Sequence, residues 1–195
     1  MERLAEVTRK TRETEITVKI DLDGAGEVTS QTGVPFLDHM LAQVAVHGLL
    51  NLTVLAQGDL EIDDHHTVED VGIVLGQALR QALGRGFGIT RFGTALIPMD
   101  EALVQVALDL SGRPFLAYDM PLDQPLIGRF DGQLIEEFLR AFATHAQVTL
   151  HVHLLSGHNA HHCLEATFKA LGRALAQAAA PDPRRNGIPS SKGLL

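Results

Sequence analysis

A histidine-rich pentapeptide occurs twice in this chain, and the segments around the two copies resemble each other. Residues 65–69 read His-His-Thr-Val-Glu, and residues 161–165, 96 positions later, read His-His-Cys-Leu-Glu. Upstream, residues 36–41 match residues 134–139 at an offset of 98 positions, and a histidine follows each of these hexapeptides at the same distance. Self-similarity at a nearly fixed period indicates an internal duplication. We therefore expect two similar halves.

Hydropathy patterns predict the same kinds of element in both halves. Alternating apolar residues predict strands, and apolar residues at helical spacing predict amphipathic helices. In the first half the predicted strands span 14–22 and 49–56, one predicted helix begins at Pro35, and the other spans 68–83. In the second half the predicted strands are 94–99, 103–110, 115–118 and 147–155, and the predicted helices are 134–144 and 163–179.

These elements predict an α/β (α+β) fold with two similar halves, each a sheet that two helices cover on one face. We see no flexible linker between the halves, so we predict one domain, 1–195, with structural repeats of about 10–90 and 91–180. The C-terminal tail, 181–195, is rich in Pro, Gly, Ser and Arg. In isolation this composition is typical of a disordered end.

The composition limits the class of protein. With 45% hydrophobic residues the chain can bury a core, and its formal net charge of −8 disfavours nucleic acid and anionic membranes as partners. No apolar run reaches the roughly 18 residues of a membrane helix, and no apolar stretch of the signal-peptide kind follows Met1. Cys163 is the single cysteine, and we interpret it as a small buried residue rather than a thiolate ligand. We expect a cytoplasmic protein.

The repeated pentapeptide predicts metal ligands if it lies on a helix. Residues four apart share a helix face, so His65 and Glu69 point the same way, whereas the adjacent His66 points about 100° away. This geometry favours one ion for each direction, and the second copy repeats it. The four histidines and two carboxylates are His65, His66, Glu69, His161, His162 and Glu165. Imidazole and carboxylate together suit a divalent first-row metal.

Each copy needs further ligands to complete a coordination shell. His39 in the first half and Glu137 at the matching place in the second are candidates. The alternative is that the halves, or neighbouring subunits, exchange ligands.

His151 and His153 alternate along a predicted strand and share one face. The first half has no counterparts of these two residues, so we predict surface or structural roles for them.

Several basic residues are scattered in sequence, but together they would form a phosphate pocket in a chain this acidic. They are Arg91, Arg113, Lys169 and Lys192. Ser190, Ser191 and Lys192 also place two hydroxyls, backbone amides and a cation within a short stretch, which is typical of a phosphate clamp. Spacing alone does not bring these residues together, and each cation by itself is more often a solvated surface charge.

Six segments, in order, resemble the signature segments of the imidazoleglycerol-phosphate dehydratase family. They are Thr11-Arg12-Glu13-Thr14, Phe36-Leu37-Asp38-His39-Met40-Leu41, Asp64-His65-His66-Thr67-Val68-Glu69-Asp70, Arg91-Phe92-Gly93, His161-His162-Cys163-Leu164-Glu165-Ala166-Thr167-Phe168-Lys169-Ala170 and Pro189-Ser190-Ser191-Lys192-Gly193. The resemblance spans nearly the whole chain and implies a duplicated fold of the ribosomal-protein-S5-domain-2-like kind. It also implies two manganese ions per active site and a 24-subunit shell of identical chains that forms the sites between subunits.

The resemblance further implies roles for individual residues. One ion would be held by His39, His66, His161 and Glu165, and the other by His65, Glu69, Glu137 and His162. Many family members have histidine at the position of Glu137. In this chain the ligands of the second ion would therefore include two carboxylates, Glu69 and Glu137. The polar chain of the substrate would be contacted by Glu13 and His47, and its phosphate by Arg91, Arg113, Lys169, Ser190, Ser191 and Lys192. The tail would then be ordered by neighbouring subunits or by substrate.

The reaction that the resemblance implies converts imidazoleglycerol phosphate to imidazole acetol phosphate and water in histidine biosynthesis. The hydrogen to be removed lies on a carbon with no adjacent carbonyl, so it is not acidic. A metal on each ring nitrogen would favour the imidazolate, and this electron-rich ring can expel the neighbouring hydroxyl to give a diazafulvene. Loss of the adjacent proton then gives an enol, which becomes the ketone. Glu13 is the candidate for positioning the diol or moving a proton.

Two other functions could use the same residues. A dinuclear hydrolase of phosphate esters would use the metal ligands to activate water and would release inorganic phosphate, whereas the dehydratase keeps the phosphate on its product. A metal-binding, cage-forming protein would bind ions without any need for Arg91, Arg113 and Lys192 to converge.

Overall fold

The first half of the chain folds as three strands, a helix, a fourth strand and a second helix. The computed structural model describes residues 3–123 and 125–193. The elements of the first half are β1 (Leu4–Lys10), β2 (Thr14–Asp21), β3 (Val28–Gln31), α1 (Pro35–Gly48), β4 (Asn51–Gly58) and α2 (His65–Leu83).

The second half repeats this order and adds one short hairpin before its first helix. Its elements are β5 (Phe92–Met99), β6 (Ala102–Asp109), β7 (Phe115–Asp119), the hairpin strands β8 (Leu126–Ile127) and β9 (Phe130–Asp131), α3 (Leu134–Ala146), β10 (Thr149–Ser156) and α4 (Ala160–Ala179).

The two four-stranded sheets share one topology. The strand order is β1-β2-β4-β3 in the first sheet and β5-β6-β10-β7 in the second. In each sheet the last pair is parallel and the other pairs are antiparallel. The same order and the same strand directions confirm the predicted duplicated α/β fold.

Two strands of the first half, like the short hairpin of the second, were absent from the sequence-based expectation. The first repeat begins with β1 at Leu4, earlier than the predicted position of about 10, and β3 lies between β2 and α1. In β1 only Ala5 is fully buried, and in β3 no residue is. Both are edge strands of the first sheet. Edge strands bury few side chains, so they lack the strong alternation of apolar residues that predicts a strand.

The helices that carry the repeated pentapeptide begin earlier than predicted. Helix α2 begins at His65 rather than at 68, and α4 begins at Ala160 rather than at 163. The Asn159 side chain caps α4 by accepting hydrogen bonds from the backbone N–H groups of His161 and His162. Both pentapeptides therefore lie in the first turns of their helices.

The four helices lie between the two sheets. In β2 the side chains of Ile16, Val18 and Ile20 alternate into the core. Helix α1 packs against α4 and α2 packs against α3, so each helix contacts a partner from the opposite half as well as its own sheet. The core thus joins the two halves. No helix within 3–123 and 125–193 combines the length and apolar character needed to cross a membrane.

Glycines let the paired helices approach closely. A Cβ atom on Gly172 of α4 would lie 2.6 Å from the carbonyl oxygen of Val44 on α1, and 3.0 Å from the backbone nitrogen of Gly48. A Cβ on Gly76 of α2 would lie 2.7 Å from the carbonyl oxygen of Phe142 on α3. These contacts fix how far each helix is shifted along its partner, and that shift decides which polar side chains meet at the helix N-termini.

The C-terminal tail packs along the segment before β5. Asp182 donates its backbone N–H to the carbonyl of Gly88, at 2.8 Å, and Gly88 donates to Gly187, at 2.9 Å. The Arg91 guanidinium donates to the Pro189 carbonyl at 2.8 Å. Residues 181–189 therefore have partners within their own chain, in contrast to the disordered end that their composition indicates in isolation.

Candidate metal centre

His39, His161 and Glu165 form a cluster at the N-terminal ends of α1 and α4. The Glu165 Oε2 atom lies 3.2 Å from His39 Nε2 and 3.1 Å from His161 Nε2. One ligand atom from each of the three residues lies within 4.8 Å of the others. Two imidazoles and one carboxylate suit a divalent first-row metal. The donor set therefore fits an ion, and the predicted partnership of His39 with the second pentapeptide is present within one chain.

The carboxylate of Glu165 is held in its ionised form. Burial acts to raise the pKa of Glu165, but hydrogen bonds from Lys169, His39 and His161 outweigh it and lower that pKa to about 2. Lys169 Nζ lies 2.7 Å from Oε1, the oxygen that the histidines leave unused. A buried anion beside two imidazole nitrogens is the electrostatic environment that a cation needs.

The pseudo-equivalent group on α2 and α3 is more open. His65 Nε2 lies 3.8 Å from Glu69 Oε2, and both side chains are more than 40% exposed. Gly72 packs against Phe138 and Ala141. Glu69 lies one helical turn before Gly72, and Glu137 lies one turn before Ala141. The Glu137 carboxylate, however, lies 3.9 Å from Arg140 Nε. Across 3–123 and 125–193, only the His39 cluster has three such ligand atoms within 4.8 Å of one another.

The second histidine of each pentapeptide faces a different group from the first. His66 Nδ1 lies 2.9 Å from Asp59 Oδ2, and His162 Nδ1 lies 2.8 Å from Glu101 Oε2. The hydrogen bond to Asp59 raises the pKa of His66, and the hydrogen bond to Glu101 raises the pKa of His162. Neither histidine belongs to the His39 cluster of this chain, so the structure does not bring His66 beside His39, His161 and Glu165, the residues with which the resemblance groups it.

The predicted phosphate ligands separate into two groups. Arg91 makes two hydrogen bonds to Asp109, at 2.6 and 3.0 Å, and Arg113 lies 3.6 Å from the same carboxylate. The tail residue Pro189 contacts Arg91, which brings Ser190, Ser191 and Lys192 to this region. The structure thus gathers both arginines and the tail around Asp109. Lys169 lies elsewhere, beside Glu165.

This arginine–tail group is remote from the metal cluster of its own chain. Arg91 donates its backbone N–H to the carbonyl of Ala178, near the C-terminus of α4, whereas Glu165 lies in its first turns. Ala178 lies thirteen positions after Glu165 in the helix, which corresponds to about 20 Å along the helix axis. A small substrate cannot reach both groups of one chain.

His47 and Glu13 lie at separate places. His47 is on the last turn of α1, where burial and the positive charges of Lys169 and Arg173 lower its pKa. His47 therefore lies at the same α1–α4 interface as the metal cluster. Glu13 lies in the β1–β2 turn, and its negative charge contributes to the raised pKa of His66.

Sequence reasoning missed Asp59, Glu101 and Asp109. Asp59 follows β4, Glu101 lies in the β5–β6 turn, and Asp109 ends β6. None of them belongs to the repeated pentapeptide, and their partners lie on other elements. The Asp100-Glu101 pair in a tight turn was the available signal for Glu101. His151 and His153, by contrast, are half-buried on β10 beside Phe115 and Asp119 and do not belong to the His39 cluster.

The fold and the cluster together define a class: a duplicated α/β protein with a group of histidines and a carboxylate suited to a divalent metal. The family model described as imidazoleglycerol-phosphate dehydratase matches residues 32–175. A relative of that name from Moorella thermoacetica is 58% identical over 195 residues, which cover 100% of both chains. This chain belongs to the imidazoleglycerol-phosphate dehydratase family.

Further comparisons agree over nearly the whole length. An imidazoleglycerol-phosphate dehydratase from Microcystis aeruginosa is 59% identical over 194 residues, covering 99% of this chain and 93% of the relative. The solved structure of imidazoleglycerol-phosphate dehydratase from Staphylococcus aureus has a TM-score of 0.83 to this chain at 40% sequence identity. The match covers 92% of this chain and 99% of the Staphylococcus chain. The enzyme from Pyrococcus furiosus has a TM-score of 0.84 at 38% identity, covering 97% and 100%.

Proposed function

We propose that this chain is an imidazoleglycerol-phosphate dehydratase, a hydro-lyase that converts imidazoleglycerol phosphate to imidazole acetol phosphate and water in histidine biosynthesis. The observation that carries the proposal is the His39–His161–Glu165 cluster in a chain that matches the family from end to end. Relatives across more than 90% of both chains carry the dehydratase name.

We further propose that the enzyme depends on manganese, with two ions per active site. His39, His161 and Glu165 would hold one ion, with His66 as a further ligand, and His65, Glu69, Glu137 and His162 would hold the other. Bound divalent cations would stabilise negative charge on the imidazole ring of the substrate. The Glu137 carboxylate lies 3.9 Å from the half-exposed Arg140 side chain, so a metal ion would compete with this ion pair.

The other residues of the chain would bind and orient the substrate. A phosphate monoester carries two negative charges near neutral pH, and the Arg91, Arg113 and tail region offers guanidinium groups, hydroxyls and the Lys192 ammonium. Lys169 would lie on the metal side of the site, beside Glu165. Glu13 would position the diol or move a proton through one of its carboxylate oxygens.

We propose that each active site forms between subunits of a homo-oligomer, as the 24-subunit shell of the family would allow. The arginine–tail group and the metal cluster of one chain lie at opposite ends of α4, about 20 Å apart along its axis. A site with both metals and phosphate ligands therefore needs more than one copy. We place this assembly in the cytoplasm, in keeping with the buried, unpaired Cys163.

Product analysis tests the activity. We expect the metal-free protein to be inactive with imidazoleglycerol phosphate, and added Mn²⁺ to yield imidazole acetol phosphate without release of inorganic phosphate. Both products are assayed in one tube, and Zn²⁺ and Mg²⁺ serve as comparison ions. Inorganic phosphate without ketone would instead establish a metal-dependent phosphatase. Ketone formation that is independent of metal would contradict the role of the cluster.

Subunit mixing tests the shared site. Arg113→Ala removes a phosphate ligand and Glu165→Gln removes a metal ligand, so each variant alone should have little activity. If the two residues serve one site from different chains, random co-assembly leaves about one quarter of the sites with both residues intact. We expect refolded one-to-one mixtures to exceed the activity of either variant several-fold.

The matched control for mixing is a pair of variants that lack ligands of one and the same cluster. His161→Ala mixed with Glu165→Gln should gain nothing, because both residues come from one chain in the His39 cluster. Equal activity of the two mixtures would contradict a site that is shared between subunits.

A further inference from the structure

Two carboxylates outside the repeated pentapeptides contact the second histidine of each pentapeptide. Asp59 follows β4 and accepts from the His66 ring at 2.9 Å, and Glu101 precedes β6 and accepts from the His162 ring at 2.8 Å. The four side chains are between 14% and 34% exposed, so each pair is largely shielded from water. In both pairs the carboxylate contacts the Nδ1 atom of the ring.

The choice of Nδ1 has a chemical consequence. A neutral imidazole carries its proton on one nitrogen and a lone pair on the other. When Nδ1–H donates to a carboxylate, Nε2 keeps the lone pair and the ring cannot rotate freely. The nitrogen that can bind a cation is then Nε2, on the opposite side of the ring from Asp59 or Glu101.

We propose that Asp59 and Glu101 are positioning residues that fix the tautomer and orientation of His66 and His162, so that each presents Nε2 to a metal ion. The proposal rests on the proposed function, because it assumes that these two histidines are metal ligands. It assigns to each pentapeptide a supporting carboxylate from a separate loop.

The support of His162 is itself rigidly attached. Glu101 accepts backbone N–H groups from Asn159, at 2.9 Å, and from His158, at 3.4 Å, and Asn159 caps the helix that carries His162. The carboxylate is thus tied by three contacts to the N-terminal end of α4 and the two residues before it. Asp100 lies 3.8 Å from His162 Nε2 but is 78% exposed, so it is not part of this buried support.

The carboxylates that contact His66 and His162 come from loops that are not equivalent in the two halves. Glu101 directly precedes β6, and Glu13 directly precedes β2, so the two glutamates occupy equivalent turns. In the second half this glutamate holds the histidine. In the first half Asp59 holds it instead, and the Glu13 carboxylate makes no hydrogen bond or ion pair within 3–123 and 125–193. Glu13 is therefore available for substrate.

Metal affinity is the decisive measurement for Asp59→Asn and Glu101→Gln. Each variant keeps the size of the side chain and removes its charge. In titrations of the assembled, full-length protein with Mn²⁺ alone, we expect affinity at the affected site to fall about 10- to 100-fold, the usual effect of losing a carboxylate behind a histidine ligand. Glu61→Gln is the matched control, since Glu61 lies in the same loop as Asp59 and is exposed.

Two additional readouts separate positioning from general folding. The thermal unfolding temperature of each metal-free variant should match that of Glu61→Gln, and the conservative variant Glu101→Asp should recover part of the lost affinity. Wild-type affinity in both Asp59→Asn and Glu101→Gln would overturn the proposal. A wild-type protein that binds Mn²⁺ but forms no ketone would refute the proposed dehydratase activity. The positioning role of Asp59 and Glu101 would still be decided by the Mn²⁺ affinities of the variants.

Discussion

Glu165→Gln will remove metal from the His39 cluster and reduce dehydration turnover by about 10³-fold or more. Glu165 is the one anionic member of the cluster, and both histidines lie within 3.2 Å of its Oε2 atom. A glutamine has no charge to balance a divalent cation and would donate its amide protons where the metal should bind. Losing several kcal/mol of the stabilisation that the metal gives to the transition state corresponds to the stated fall in rate.

The measurement combines metal content with single-turnover rates at saturating Mn²⁺. Glu6→Gln is the matched control, because Glu6 is an exposed glutamate on β1, outside the helices that carry the cluster. We expect wild-type metal content and turnover for this control. A Glu165→Gln protein that keeps both its full metal content and its activity would show that the cluster is not the catalytic metal centre.

Gly93→Ala will destabilise the fold by about 3 kcal/mol or more, at the upper end of overpacking effects. Gly93 lies in β5 beneath α4, and an added Cβ would lie 1.9 Å from the carbonyl oxygen of Ala174 and 3.1 Å from the backbone nitrogen of Ala178. These are backbone atoms of a helix, so no side chain can rotate to make room. The strand and the helix must move apart, which breaks the packing between them.

Thermal unfolding of the metal-free protein measures this effect. For a chain of this size the expected loss lowers the unfolding temperature by about 6–12 °C. Gly187→Ala is the matched control, because a Cβ at Gly187 would meet nothing within 4 Å. Its unfolding temperature should stay close to that of the wild type. An equally small change in Gly93→Ala would mean that β5 and α4 are not packed as the structure has them.

Features that depend on local periodicity could be predicted from the sequence. The duplication and the two α/β halves follow from patterns that span a few turns or strands, whereas the predicted helices began three residues too late to include the pentapeptide histidines. The family could be predicted as well, because its signature segments are contiguous. The edge strands β1 and β3 escaped prediction because they bury almost nothing.

Which of these residues meet depends on the packing of the helices and sheets. His39 and Glu165 are 126 positions apart, and they touch because close packing at Gly172 sets the shift of α1 along α4. Asp59 and Glu101 support their histidines from loops with no sequence relation to the pentapeptides. The same packing leaves Arg91 at the far end of α4. Contacts of this kind depend on how whole elements are stacked, and no local pattern of residues encodes that stacking.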